Sequence, residues 1–319
     1  MADLTRRALM TTAVAAGTAA ALPFKLTQPA RAAEMHGGQA PGFYRYKVGE
    51  FTCTAVNDGV WIRKLDDQFV QNAPFAEVQD AMKAAFKAPE AVEIPFTTLV
   101  LQKGDQTILI DTGTGGQLAP TAGTMHNNLK AAGIDPASIN MVIISHFHPD
   151  HVFGLKTKEG EYVFANAEIV VPEAELNHWM GIANAEGAAA RVQDIFKPLA
   201  DKVRKIGDDA EVISGIRSIA APGHTPGHMA FHVSSGDDQL LVLSDTTNVP
   251  FLFVNHPGWH VVFDMDADMA EASRRKLLDR AASDRTLVCG YHFPFPTAGH
   301  IAKEGNGYAL HPAAWSSLL

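Results

Sequence analysis

A chain of 319 residues, 46% hydrophobic and 19% charged, carries enough apolar material for one large or two small cores, which excludes a peptide module or a disordered chain. Its formal charge of −9 argues against nucleic acid as a substrate, because nothing would offset the repulsion of phosphates. No internal repeat or long charge run interrupts the chain after its first residues.

Thr5-Arg6-Arg7-Ala8-Leu9 reads as a twin-arginine export signal, followed by a weakly apolar run from Ala8 to Pro23 and by Ala30-Arg31-Ala32 as a cleavage site. The run is short and mostly alanine, so it predicts no stable membrane anchor. Residues 1–32 are expected to be a removed signal, residues 33–319 one folded domain, and the destination the periplasm or the medium. The signal carries Arg6, Arg7, Lys25 and Arg31 against Asp3, a net +3, so the remainder stands at −12. Cys53 and Cys289 each lie in an apolar, strand-like run, which predicts buried free thiols.

From Gly42 the chain reads as strands: Phe43–Val48, a turn at Gly49-Glu50, Phe51–Val56, and a turn at Asn57-Asp58-Gly59. Ala76 to Lys87 has helical spacing of Val78, Met82, Ala85 and Phe86. Thr97–Leu101 and Thr107–Ile110 read as a strand pair, the second running into Asp111-Thr112-Gly113. Asn127 to Ala132 reads as a helix that Gly133 stops, and Met141–Ile144 as a buried strand. Two helices follow, one starting at Pro172 and carrying Trp179, the other over Ala188–Leu199. Strands resume at Val212–Ile213, Ile216–Ala220, Met229–Val233 and Leu240–Leu243, then an amphipathic helix over Ala267–Ala282 and a strand over Thr286–Cys289. Strands dominate each half, and each half finishes with helix and strand, which fits two packed sheets with helices outside.

The chemistry concentrates where the strand at Met141 stops. His146 and His148 alternate, so an extended backbone sends both imidazoles the same way, and Pro149 opens a turn that presents Asp150 and His151. Three histidines and an aspartate in six residues form a metal site whose donors suit zinc, and also Mn, Co or Fe, better than Ca or Mg. Three more places put such donors after apolar strands: Gly223-His224-Thr225-Pro226-Gly227-His228, Ser244-Asp245, and Gly290-Tyr291-His292.

The pattern of His146, His148, Asp150 and His151, then Gly223 to His228, Asp245 and His292, with Asp111 upstream, resembles the metallo-β-lactamase superfamily of hydrolases. That resemblance implies an α/β fold, a four-layer αββα sandwich with two divalent metal ions, zinc first, at the sheet edge. It implies that His146, His148 and His224 hold one ion and Asp150, His151 and His292 the other, with Asp245 bridging. Open coordination would then leave room for a bridging hydroxide as nucleophile, with Asp150 and Asp245 as the catalytic carboxylates. Asp111, His228 and His300 are expected outside the ligand set, where a carboxylate on the far N–H of a metal-bound histidine fixes its tautomer.

Ala40-Pro41-Gly42-Phe43-Tyr44-Arg45, Leu129-Lys130-Ala131-Ala132-Gly133 and Gly299 to Tyr308 resemble the methyl parathion hydrolase group within the superfamily. This implies a zinc homodimer hydrolysing small neutral hydrophobic substrates: aryl esters, lactones and organophosphate triesters. Trp179 and Phe196 match aromatic positions of that group's leaving-group pocket, Trp61 is a further wall, and Phe153 and Leu118 are departures expected beside the metals. Alternatives sharing the ligands are an N-acyl homoserine lactone lactonase, a glyoxalase II-type thioesterase and, from another class, a mononuclear iron dioxygenase.

Overall fold

The computed structural model describes residues 39–319, so the expected signal over 1–32 lies outside the described residues. The first sheet contains β1 (Phe43–Val48), β2 (Phe51–Lys64), β3 (Ala91–Lys103), β4 (Gln106–Ile110), β5 (Met141–Ile143), β6 (Glu168–Pro172) and β7 (Arg204–Ile206), hydrogen-bonded in that order. Its first four strands are antiparallel neighbours, and β4 to β7 are parallel. The second sheet contains β8 (Glu211–Ile213), β9 (Ile216–Ala220), β10 (Met229–Ser235), β11 (Asp238–Ser244), β12 (Leu287–Gly290), β13 (Ala298–Glu304) and β14 (Gly307–Pro312), again in order. Here β11 and β12 are parallel and the other neighbours antiparallel.

Seven α-helices are described: α1 (Phe75–Ala84), α2 (Met125–Ala131), α3 (Pro149–Val152), α4 (Glu173–Gly181), α5 (Gly187–Phe196), α6 (Pro250–Phe253) and α7 (Ala267–Asp284). Strand alternation decides which residues meet which layer. Leu99, Ile108 and Ile143 of the first sheet face Phe231, Val233 and Val242 of the second, and form the core between the sheets. Their neighbours Val100, Leu109 and Val142 point the other way, against Leu129 of α2, Leu176 of α4 and Ile195 of α5. On the far side Ala230, Leu241, Leu243 and Val288 meet Leu277 and Leu278 of α7. Helix, sheet, sheet, helix is the four-layer αββα order expected. Cys53 and Cys289 are buried, unbridged thiols in the central layer.

One predicted turn is not a turn. β2 runs through Asn57-Asp58-Gly59 and absorbs them as a bulge against β3. The buried Asp58 carboxylate accepts from Thr114 N and Oγ1 at 2.7 Å and from Met125 N at 2.9 Å, so tertiary partners supersede the local turn propensity. Gly59 sits at φ 110° against the backbone of Thr121, where a side chain has no room.

Candidate metal centre

The parallel strands β4 and β5 of one sheet, and β11 and β12 of the other, deliver their chemistry beyond their carboxyl ends, the usual location of sites in such sheets. β4 ends in Asp111, β11 in Ser244-Asp245 and β12 in Tyr291-His292, while β5 is followed by Ser145 to His148. His148 is extended (φ −68°, ψ 154°) and caps α3, whose first residue is Pro149, so Asp150 and His151 project from a single turn. Asp111 and Ser244, at φ 60° and 47°, hold the left-handed region where each strand turns into the site.

These segments bring His146, His148 and His224 into one group and Asp150, His151, Asp245 and His292 into a second, with ligand atoms in each within 4.8 Å of one another. His148 Nδ1 lies 3.1 Å from His146 Nε2 and 2.9 Å from His224 Nε2. Asp245 Oδ2 lies 2.9 Å from His292 Nε2 and 3.3 Å from His224 Nε2, so this carboxylate stands between the groups.

Partners outside the cluster determine which ring nitrogen faces inward. A carboxylate or carbonyl oxygen can only accept, so the nitrogen opposite it carries the proton. His151 donates from Nδ1 to Asp111 Oδ2 at 2.9 Å, His224 from Nδ1 to Asp264 Oδ1 at 2.9 Å, and His292 from Nδ1 to Pro95 O at 2.8 Å. Ser145 Oγ donates to Asp111 Oδ2 and lies 3.1 Å from His146 Nδ1, which donates to it in turn. In the neutral ring all four then have Nε2 as the lone-pair nitrogen facing the centre. His228 donates from Nδ1 to Ala221 O at 3.0 Å and accepts from Asp245 N at 3.1 Å, so it props the backbone of Asp245 with neither nitrogen left over.

Charge in the cluster is uneven. Burial opposes protonation of His224, but the carboxylates of Asp245 and Asp264 outweigh it and bring its pKa up to about 9. Burial and the neighbouring His224 push His148 down to about 3, and the same two causes put His228 at about 3. Asp245 stays well below the usual carboxylate range despite burial, because His292 and His151 lie against it.

The residues fit a metal pair. His151 Nε2 and Asp245 Oδ1 are buried without a hydrogen-bond partner, 3.2 Å apart, two lone-pair donors facing each other. Such atoms are costly unless a cation lies between them. The nitrogen spacings of 2.9 and 3.1 Å in the histidine group approach the edge of about 3.3 Å expected of a tetrahedron with Zn–N bonds of about 2.05 Å.

Beside the cluster is a cavity of about 210 Å³ whose walls are Trp61, Ile94, Phe96, Leu118 and Phe263, with Asn248 and the ligand side chains at its floor. Of the five expected wall residues, Trp61 and Leu118 line this cavity and three lie elsewhere. Phe196 is fully buried and stacks on Phe147 at 4.0 Å, Phe153 is buried in the same outer core, and Trp179 backs His148 edge-on at 6.1 Å. α4 and α5 turn Trp179 and Phe196 toward the sheet, and Phe153 follows α3 into the same layer, so these rings are helix–sheet packing. His300 does not join the centre either. It is exposed on β13, opposite Leu287 and His311, and lines a separate groove with Arg285 and Lys303.

Sequence reasoning missed the residues that hold the ligand loops. Glu175, wholly buried, accepts from Phe147 N and Trp179 Nε1 with Oε2 and from Gly227 N with Oε1, which joins the two histidine loops. Asp264, on His224, follows no motif. Arg274 had a signal: it falls on the buried stripe of α7 with Ala270, Leu277, Leu278 and Ala281, where a charged residue is out of place.

The family model of the metallo-beta-lactamase superfamily matches residues 93–292, and the chain belongs to that superfamily as a metal-dependent hydrolase. An N-acyl homoserine lactonase of Bacillus sp. is 23% identical over 242 residues, covering 70% of this chain and 88% of the relative. The structure of AidC, a dizinc quorum-quenching lactonase in complex with a hexanoyl-homoserine product, aligns at a TM-score of 0.81 and 27% identity over 86% of this chain and 99% of AidC. The hydrolase AbOPH shares the fold at a TM-score of 0.79 and 24% identity, over 88% of this chain and all of AbOPH. The two His/Asp groups are consistent with a dizinc centre, as in AidC. Among the described residues no helix is long and apolar enough to cross a membrane.

Proposed function

We propose that this protein is a dizinc lactonase that opens N-acyl homoserine lactones, with organophosphate triesters and aryl esters as secondary substrates. The observation that carries the reading is the likeness to AidC over nearly its whole length, together with an apolar cavity set directly against the ligand cluster. A zinc pair when bound supplies a water made acidic enough to attack at neutral pH and polarises the scissile carbonyl. His146, His148 and His224 would hold one ion, Asp150, His151 and His292 the other, and Asp245 both. Asp111, Asp264, Pro95 O and Ser145 keep four imidazoles in the metal-ready tautomer. Trp61, Ile94, Phe96, Leu118 and Phe263 take the acyl chain and displace water from the floor of the cavity. Asp150 is the most exposed carboxylate of the cluster, with a side chain 13% accessible at the cavity, and is placed to take the proton that the attacking water gives up and pass it to the departing alkoxide. Export by a twin-arginine signal belongs to the same reading and is supported by Thr5-Arg6-Arg7 and the site that follows.

Turnover of one zinc-replete preparation on hexanoyl homoserine lactone, dihydrocoumarin, methyl paraoxon and a glutathione thioester tests this. The expected order has the lactones first by at least tenfold in kcat/KM. A phosphotriester or thioester turned over faster than both lactones overturns it.

A further inference from the structure

We infer that Asp264 and the buried Arg274 form a positioning pair that orients His224 and ties this ligand to the wall of the substrate cavity. The inference rests on the ligand set proposed above, in which His224 holds a metal through Nε2.

Both oxygens of Asp264 are committed. Oδ1 accepts from His224 Nδ1 at 2.9 Å and Oδ2 from Arg274 Nη2 at 2.9 Å, and each side chain of this ion pair is 1% accessible. Asp264 belongs to neither ligand group, so it reaches the centre through His224. Asp111, in the same role behind His151, is held by Ser145 N and Oγ and, among the described residues, has no arginine partner. The guanidinium makes the difference: by holding Oδ2 it turns Oδ1 onto His224 Nδ1, which leaves Nε2 as the ring nitrogen facing the cluster.

Arg274 does more than neutralise. Its Nε donates to Thr246 O, one residue past Asp245, and its Nη1 to Pro257 O and Trp259 O at 2.8 and 2.9 Å. The segment between Pro257 and Asp264 carries Phe263, which lines the cavity and packs on Trp61 with ring centroids 6.0 Å apart. One side chain therefore anchors the wall-bearing segment, the strand end that bears Asp245, and the carboxylate behind His224.

The backbone repeats the connection. Met265 N donates to His224 O at 3.1 Å and Asp266 N to Gly223 O at 2.8 Å, while Asp266 Oδ1 caps α7 by accepting from Met269 N. Gly223 abuts the backbone of Ala270 in the first turn of α7, where no side chain fits. A buried guanidinium on a helix that otherwise presents Ala and Leu is costly to desolvate unless it is fully paired. An apolar residue would pack α7 at lower cost, so the arginine is retained for the geometry it imposes.

The test uses full-length holoenzyme with D264N, R274K and the double D264N/R274Q, reading zinc content, zinc affinity by chelator competition, metal-free Tm, and kcat and KM on the lactone. Asparagine must turn its amide toward either Arg274 or His224, so one contact is lost. The expected result is a lower metal-free Tm in D264N, recovered in D264N/R274Q, with one of two zinc ions weakened about 10–100-fold in both. Lost kcat returns in excess zinc. R274K keeps a cation for Asp264 but lacks the fork to Pro257 O and Trp259 O, so KM rises with kcat less affected. If D264N alone fails to fold, the double variant removes the charge pair as a unit and the same readings apply. Variants that fold and hold both ions with wild-type affinity overturn the pairing. A wild-type protein that holds fewer than two zinc ions overturns the ligand set itself, and the pairing with it.

Discussion

Gly227 lies directly against Glu175: its amide donates to Oε1 at 2.7 Å, and a Cβ built on it would strike the Glu175 backbone nitrogen. Because Oε2 of the same carboxylate accepts from Phe147 N, this contact joins the loop of His146 and His148 to the loop of His224. Glu175→Gln keeps the shape but sets an amide N–H against one backbone donor. Losing that bond in a buried site should cost about 2–4 kcal/mol. Urea unfolding of the metal-free protein measures it, and unchanged stability would show the join to be dispensable.

Asp245 stands between the two ligand groups, so Asp245→Ala should abolish turnover by about three orders of magnitude while the fold persists. Zinc analysis and circular dichroism on the same sample check both halves. Retained turnover would remove the two-metal mechanism.

A chelator should inactivate the protein and zinc restore it, with an affinity that depends on pH in a stated direction. In the metal-free protein His224 has a pKa of about 9, raised against burial by Asp245 and Asp264. A raised histidine pKa stabilises the metal-free fold below about pH 6.5, and that contribution is lost as pH rises through about 9. Zinc must displace the same proton, so apparent affinity should fall about tenfold per unit as pH drops below 9. Competition titrations between pH 6 and 9 test the slope, and a flat profile would contradict it.

Trp61 and Leu118 line the cavity, whereas Phe196 is packed on Phe147 away from it. Leu118→Ala and Trp61→Ala should enlarge a space of about 210 Å³ and move the preferred acyl chain upward by several carbons. Phe196→Ala should instead cost about 3–5 kcal/mol of stability and leave chain preference unchanged. Rates on butanoyl, hexanoyl and decanoyl homoserine lactones separate the two behaviours.

The residue sequence by itself determined the layers and the inner cluster. Period-two alternation in the strands names the buried faces, and donors set just after apolar runs name the strand ends, because both are local properties of an extended backbone. His146, His148, Asp150 and His151 are legible for that reason, and β4, β5, β11 and β12 could be placed from their apolar runs. β6 and β7 were not, because Arg204-Lys205-Ile206 has no apolar run and β6 ends at once in Pro172 and the start of α4.

What only the tertiary structure decided is what lies behind and around those donors. Asp264 meets His224 from 40 residues away and Glu175 meets Gly227 from 52, distances over which no spacing rule operates. The bulge at Asn57/Gly59 shifts the register of β2 before Trp61, and a one-residue slip changes the face on which a strand side chain emerges. Aromatic residues fill cores and pockets by the same apolar surface, so Trp179, Phe196 and Phe153 could be separated from Trp61 only by the packing of α3 to α5 on the sheet. Composition and local period select the elements and their inward faces; which inward face meets metal, substrate or another helix is a long-range packing outcome.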